Sequence, residues 1–211
     1  MKPIGRIRTA FSDKFGIPRQ SGMIKELEGT VVFEPEYRDI QSLRGLEGFS
    51  HIWLLWLFSE VEYSEFKPTV RPPRLGGNKR MGVFATRSPY RPNRIGMSLV
   101  ELKSIEQTAD RGAILRVLGA DMLDNTPLLD IKPYLPFTEA VPEARGGFAD
   151  KVSDYGLKVN FPEGLLGIIP PEHRAAVIRI LENDPRPAYH SDSRPYHIVY
   201  AGYEIEFCLE T

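Results

Sequence analysis

Eighteen prolines and eighteen glycines punctuate this chain, and they cut its first 140 residues into short segments. Proline fixes φ and carries no N–H, while glycine supplies the backbone angles of tight turns, so such segments are closed off before a regular helix develops. Those that remain read as strands. Ile4–Thr9 alternates apolar and polar residues, and Gly29–Phe33 is a short β-branched run. Phe49–Phe58 is aromatic and aliphatic enough for a buried strand, with a short helix as the alternative. Met81–Ala85, Met97–Ile105, Ala113–Gly119 and Leu128–Tyr134 complete a set of seven. Strands with no helix between them argue against a parallel α/β sheet and favour a mainly β fold, an antiparallel β-barrel or sandwich.

After Pro136 the pattern changes. Residues 137–164 read as loop, followed by one clear helix that opens at Pro171, carries Ala175, Ile178 and Leu181 at helical spacing, and stops at Pro185. Tyr196–Ala201 and Tyr203–Leu209 read as two strands around Gly202. We therefore expect residues 1–137 to form the barrel and residues 138–211 a small C-terminal α+β appendage. The single cysteine, Cys208, excludes an internal disulfide framework, and four scattered histidines offer no zinc-ligand spacing. The longest apolar run, Ile52–Phe58, is too short to span a bilayer, and MKPIGRIRTAF lacks a signal-peptide core. The expectation is a cytoplasmic protein without a metal or a membrane partner.

Charge is distributed very unevenly. Between Phe66 and Val100 lie Lys67, Arg71, Arg74, Lys79, Arg80, Arg87, Arg91 and Arg94 without one Asp or Glu. That block carries +8 in a chain of net charge −1, so the rest sums to −9; residues 137–211 alone hold 12 acids against 7 bases. Five prolines and four glycines in the block make it a shaped loop, built to face a polyanion, with nucleic acid the first candidate. The alternative is a solvated face whose charges pair with the acidic remainder.

Several segments carry candidate chemistry. Phe15-Gly-Ile-Pro-Arg-Gln20 offers a guanidinium fork and an amide on a turn stiffened by Pro18, suited to a carboxylate and an adenine edge, or else a plain surface turn. Arg71–Asn78 and Phe84–Asn93 interleave arginines with prolines, so that arginines can hold phosphates while Tyr90, Phe84 and Asn93 meet bases of single-stranded RNA. For Phe84 itself a core position is the favoured reading. Asp121–Tyr134 places Asp124 and Asp130 around an Asn125-Thr126-Pro127 turn, where the side chains serve the turn or a carboxylate accepts from a ribose or an ammonium. His51, on the apolar strand, reads as a core histidine. GxGxxG after a strand, GxxxxGK[ST], HExxH and GxSxG are all absent, so a conventional dinucleotide or nucleoside triphosphate site is unsupported.

Taken together, Phe15–Gln20, Gly45–Trp53, Arg71–Asn78, Gly82–Gly96 and Asp124–Tyr134 resemble the TrmO (YaeB, TsaA-like) family over residues 3–137, and Asp184-Pro-Arg-Pro-Ala-Tyr189 extends the likeness. The resemblance implies an S-adenosylmethionine-dependent tRNA methyltransferase on a β-barrel. It would act as a homodimer on the exocyclic N6 of threonylcarbamoyladenosine 37, beside the anticodon. By similarity the cofactor is held by Pro18, Arg19, Gln20, Ser59, Glu60, Arg87, Leu99 and the Asp124, Asn125, Thr126, Pro127 turn. Arg87, Asp124 and Asp130 are the catalytic candidates, and Arg71, Arg74, Arg91, Asn93 and Arg94 the contacts to the tRNA anticodon arm. Ser59-Glu60 stands where other members carry His-Gln, and Asn125 where some carry glycine, an exchange that Asn's tolerance of positive φ permits. A non-catalytic RNA-binding barrel would keep the arginines without cofactor affinity. A small-molecule methyltransferase would bind the cofactor without salt-sensitive tRNA binding.

Overall fold

The computed structural model describes residues 1–62, 65–72, 79–152, 155–186 and 194–209. Its strands are β1 (Gly5–Thr9), β2 (Glu28–Phe33), β3 (His51–Leu57), β4 (Thr69–Val70), β5 (Met81–Gly82), β6 (Ile95–Thr108), β7 (Gly112–Leu118), β8 (Thr126–Pro133), β9 (Tyr196–Tyr200) and β10 (Tyr203–Phe207). Six of them close an antiparallel barrel in the order β1-β2-β7-β6-β3-β8. β8 completes the ring by pairing with β1 at Gly5↔Leu128 and with β3 at Ile52↔Pro133.

Period-two alternation fills the barrel. On β3, Ile52, Leu54 and Trp56 point inward and are buried, while His51, Trp53, Leu55 and Leu57 lie half-buried on the outer face. They meet Ile7, Val31, Val100, Leu115, Val117 and Leu128 from the other strands. Burying each such aliphatic side chain contributes about 1.5–3 kcal/mol. Trp56 fits only because its cross-strand partner is Gly96: a Cβ there would lie 2.3 Å from the indole.

The barrel has six strands where the sequence predicts seven. Met81–Ala85 is extended only at β5, which pairs with β4 in a separate two-stranded ribbon. Val83–Ala85 is a 3-10 turn, closed by the Thr86 amide and hydroxyl, both of which donate to the Val83 carbonyl at 3.2 and 2.8 Å. Val83 is buried there.

Beyond β8 come two short helices, α1 (Pro136–Glu139) and α2 (Glu163–Leu166), then α3 (Pro171–Glu182) and the β9–β10 hairpin. α3 begins with proline in its first turn, buries Ala176, Val177, Ile180 and Leu181, and ends at Asp184, which takes a left-handed φ of 49° ahead of Pro185. Its apolar face packs against Ile198, Tyr200 and Ile205 of the hairpin. The same second core also receives Phe11, Ile24 and Leu27, which belong to the β1–β2 connection. A stretch early in the chain is therefore built into the C-terminal unit, and the candidate site lies along that stretch.

Candidate active site

The β1–β2 connection is fixed from its far side by residues late in the sequence. The Ala201 amide donates to the Ala10 carbonyl at 2.9 Å, and Phe15 stacks on Tyr196 with ring centroids 6.4 Å apart. Gly16 takes φ 99°, and a Cβ there would sit 3.1 Å from the Ile198 side chain, so glycine is required both for the turn and for the close approach. Arg19 donates from Nη2 to the Arg186 carbonyl at 2.9 Å. Arg186 is itself buried and bidentate to Asp184, at 2.7 and 2.9 Å, and Tyr155 adds a hydroxyl donor to the same carboxylate at 2.7 Å. Burial pushes the Asp184 carboxyl up, but the Arg186 and Tyr155 hydrogen bonds outweigh it and hold the group below its ordinary range.

This bracing delivers Pro18–Gln20 to the barrel rim, where separate loops converge. Arg87, from the basic segment, donates through Nη1 to the Gln20 amide oxygen. Lys14 donates to the Glu60 carbonyl at 2.6 Å, tying the connection to the Ser59–Glu60 turn that follows β3. Leu99, on the outer face of β6, lines a cleft of about 210 Å³ with Ser21, Lys25, His51 and Glu101. The structure thus joins three distant segments to the β1–β2 connection: Arg87 at Gln20, Glu60 at Lys14, and Leu99 in one cleft with Ser21. His51 is not the expected core histidine: as an odd member of β3 it faces outward into this cleft, and its Nδ1 lies 3.0 Å from the Ser50 hydroxyl.

Beneath the rim runs a buried polar chain. The Trp56 indole N–H donates to the Ser98 hydroxyl at 2.9 Å, and Ser98 donates to Asp121 Oδ1 at 2.5 Å. Burial pushes the Asp121 carboxyl up to about 6, against the Ser98 hydrogen bond and the nearby Arg87 charge, which pull it down. Sequence reasoning placed Asp121 at the edge of a turn motif and gave it no role. Only the β3–β6 register, Leu54↔Ser98 and Trp56↔Gly96, sets its partners below it.

The Asp124–Pro127 turn is satisfied within itself and by β1. Asp124 Oδ1 accepts from Arg8 Nε at 2.9 Å and the Thr9 amide at 3.0 Å, Thr126 donates to the Leu123 carbonyl, and Asn125 takes φ 66°. Asp130, on β8 opposite Leu55 of β3, pairs with Lys132 at 2.9 Å. In the basic segment, Arg91 donates through Nη1 to the Val83 and Thr86 carbonyls at 3.0 and 2.8 Å, and Arg94 donates to the Val61 carbonyl. Arg71 and Asn93 are exposed, and Arg74 lies outside the described residues. Among the described residues, no carboxylate pairs with Lys67, Arg71, Lys79, Arg80, Arg87, Arg91 or Arg94, which removes the self-neutralised surface as their explanation. Phe84 is a correction of the opposite kind. It is 69% exposed, because Val83 is the member of that turn directed into the protein.

Comparison with known proteins decides what this rim belongs to. The domain described as the tRNA-methyltransferase O N-terminal domain matches residues 6–140, from β1 through α1. The chain belongs to the tRNA-methyltransferase O family. Within the family it is 41% identical over 227 residues to the tRNA (adenine(37)-N6)-methyltransferase of Escherichia coli K12, covering 98% of this chain and 96% of that protein. A Pseudomonas aeruginosa member, 44% identical over 197 residues covering 90% and 82%, is provisionally named an S-adenosylmethionine-dependent methyltransferase. The crystal structure of TrmO from P. aeruginosa superposes with a TM-score of 0.75 at 35% identity, spanning 98% of this chain and 88% of that one. Among the described residues no helix is long and apolar enough to cross a membrane, and no group of His, Cys, Asp or Glu is placed to hold a metal.

Proposed function

We propose that this protein is an S-adenosylmethionine-dependent methyltransferase acting on N6 of threonylcarbamoyladenosine 37 of tRNA, as a cytoplasmic homodimer. The observation that carries the reading is the Arg87–Gln20 hydrogen bond, which joins the cationic segment to the braced connection at one point of the rim. A tRNA-facing surface and a small-ligand loop meet there, within a chain related along its length to a tRNA (adenine(37)-N6)-methyltransferase.

The residues present suit the cofactor's chemistry. Arg87 and Arg19 carry guanidinium donors for a carboxylate, Gln20 an amide for an adenine edge, and Leu99 with Leu118 an apolar wall in the cleft that starts at Ser21. When bound, S-adenosylmethionine supplies a methyl group on a sulfonium, and its departure leaves a neutral thioether. Pro18, Arg19, Gln20, Ser59, Glu60, Arg87, Leu99 and the backbone of Asp124, Asn125, Thr126 and Pro127 hold the ligand in this reading. Arg71, Arg74, Asn93 and Arg94 hold anticodon-arm phosphates, while Arg91 shapes the loop that presents them. Alignment of the two reacting atoms at about 3–3.5 Å supplies several kcal/mol in such a site. The attacking amine must shed a proton, and in this reading Asp121, beneath the rim on Ser98 and under the influence of the Arg87 charge, accepts it at an Oδ. Asp130 is paired with Lys132, two residues along the same strand, and is given no proton-transfer role in this reading. The barrel, residues 1–137, carries these groups, and residues 138–211 hold the 14–20 loop in place.

Calorimetric titration with S-adenosylmethionine, of the protein and of Arg87→Ala, tests the reading. Saturable binding weakened at least tenfold by the substitution, followed by methyl transfer to threonylcarbamoylated but not unmodified tRNA, is the expected result. Absence of binding by the folded parent would leave an RNA-binding barrel instead.

A further inference from the structure

Phe84 is the most exposed aromatic side chain of the basic segment, at 69%, and it does not stand alone. Phe66, 53% exposed, lies near-parallel to it with ring centroids 6.3 Å apart and planes inclined by 29°. The Arg91 guanidinium carbon sits 5.3 Å from the Phe84 ring centroid. Large apolar surfaces left in water cost free energy and commonly mark a binding site. This one is also held in shape. Arg91 cannot swing away, since Nη1 is committed to the Val83 and Thr86 carbonyls, and the Phe84 backbone is locked in the 3-10 turn that buries Val83. The segment that carries the pair also carries Lys67, Arg71, Lys79, Arg80, Arg87 and Arg94, none matched by a carboxylate among the described residues. Rigid aromatic faces inside a cationic field are what an unpaired nucleobase recognises: the ring stacks while the backbone phosphates meet the cations.

We propose that Phe84 and Phe66, backed by Arg91, form a stacking platform for an unpaired nucleobase of the substrate RNA, adjacent to the adenosine that is methylated. The proposal rests on the tRNA-methyltransferase reading and adds to it a contact that carries no charge. Phosphate contacts set affinity through counterion release, whereas a stacked base fixes register, so the platform positions the target nucleotide over the Arg87–Gln20 junction. A second copy of this chain is the competing occupant. The absence of any acidic residue between Phe66 and Val100 favours the polyanion, because two such faces would repel.

The test uses an anticodon stem-loop RNA with 2-aminopurine flanking the target adenosine, whose fluorescence is quenched on stacking. The parent and Phe84→Trp should quench it. Phe84→Ala, Phe84→Leu and Phe66→Ala should not, and each should lose roughly 5- to 150-fold in RNA affinity at an unchanged salt slope. Thermal unfolding of the same variants shows that they are folded, which their surface positions allow. A parent that binds the RNA while Phe84→Ala binds it within twofold overturns the platform and leaves the activity standing. A parent that binds no RNA overturns both. A fall in sedimentation coefficient for Phe84→Ala at unaltered RNA affinity assigns the pair to a subunit contact and overturns the platform as well.

Discussion

Asp121 is the residue at which stability and function pull apart. Its folded pKa of about 6 stands above the ordinary carboxylate value of 3.8. The protonated form is thus favoured by folding. The associated stability is fully present below pH 3.8 and is lost as pH rises through 6. A difference of about two pH units corresponds to about 3 kcal/mol. We predict that Asp121→Asn flattens the stability profile between pH 4 and 7 and raises stability at pH 8 by up to about 3 kcal/mol, less the strength of the altered Ser98 hydrogen bond. Urea midpoints at pH 4.5 and pH 8 measure this; an equal loss at both would mean that the charge is not desolvated. Methyl transfer should fall in the same variant. None of this was legible in the sequence, because the Trp56–Ser98–Asp121 chain depends on strand register. Positions 42 and 23 residues apart become neighbours only once β3 and β6 are paired. The misreading at His51 shares that origin, while the one at Phe84 comes from a 3-10 turn read as strand. Each lies one position from a buried neighbour, Ile52 or Val83, and composition cannot say which of two adjacent apolar-looking positions faces in.

Among the elements, the loop from Val83 to Arg94 is shaped by a guanidinium. Sequence reasoning assigned Arg91 to phosphate, yet Nη1 bridges two main-chain carbonyls of its own loop. Lysine keeps the charge but not the planar fork, so the two alternatives make different predictions. Arg91→Lys should cost about 1–2 kcal/mol of stability and weaken RNA binding through a looser loop, with the salt slope retained. A phosphate-only role predicts no change in the thermal midpoint. The strands themselves were readable. Alternation located β1, a β-branched run β2, and aromatic and aliphatic content β3, while turn signals bounded β7 and β8 to within a few residues. β4 was missed and β5 overextended: two-residue ribbons are too short for a period to register.

The whole molecule is two cores sharing one strap. The chain's punctuation pointed to an antiparallel barrel or sandwich with an α+β appendage, and the family resemblance chose the barrel, but neither showed the strap. Phe11, Ile24 and Leu27 look like ordinary loop hydrophobes until α3 and the hairpin arrive to cover them. The Asp184–Arg186 pair, with Tyr155, fixes the point at which Arg19 is held. Arg186→Ala strands a buried carboxylate, and we predict a loss of about 3–5 kcal/mol together with weaker S-adenosylmethionine binding, although residue 186 lies outside the barrel. Denaturation and calorimetry on one preparation check both, and a stability loss without any change in ligand affinity would uncouple the strap from the site.

That strap also has a consequence in time. The last barrel strand ends at Pro133, and the carbonyl that holds Arg19 belongs to Arg186, so about fifty residues of synthesis separate them. At about 5–20 residues per second, the growing chain spends roughly 3–10 seconds with every barrel strand already made and nothing yet holding Arg19 of its ligand loop. We expect chains stalled in that interval to resist protease throughout the barrel while being cut between residues 14 and 20: the nascent protein acquires its architecture first and its competence last.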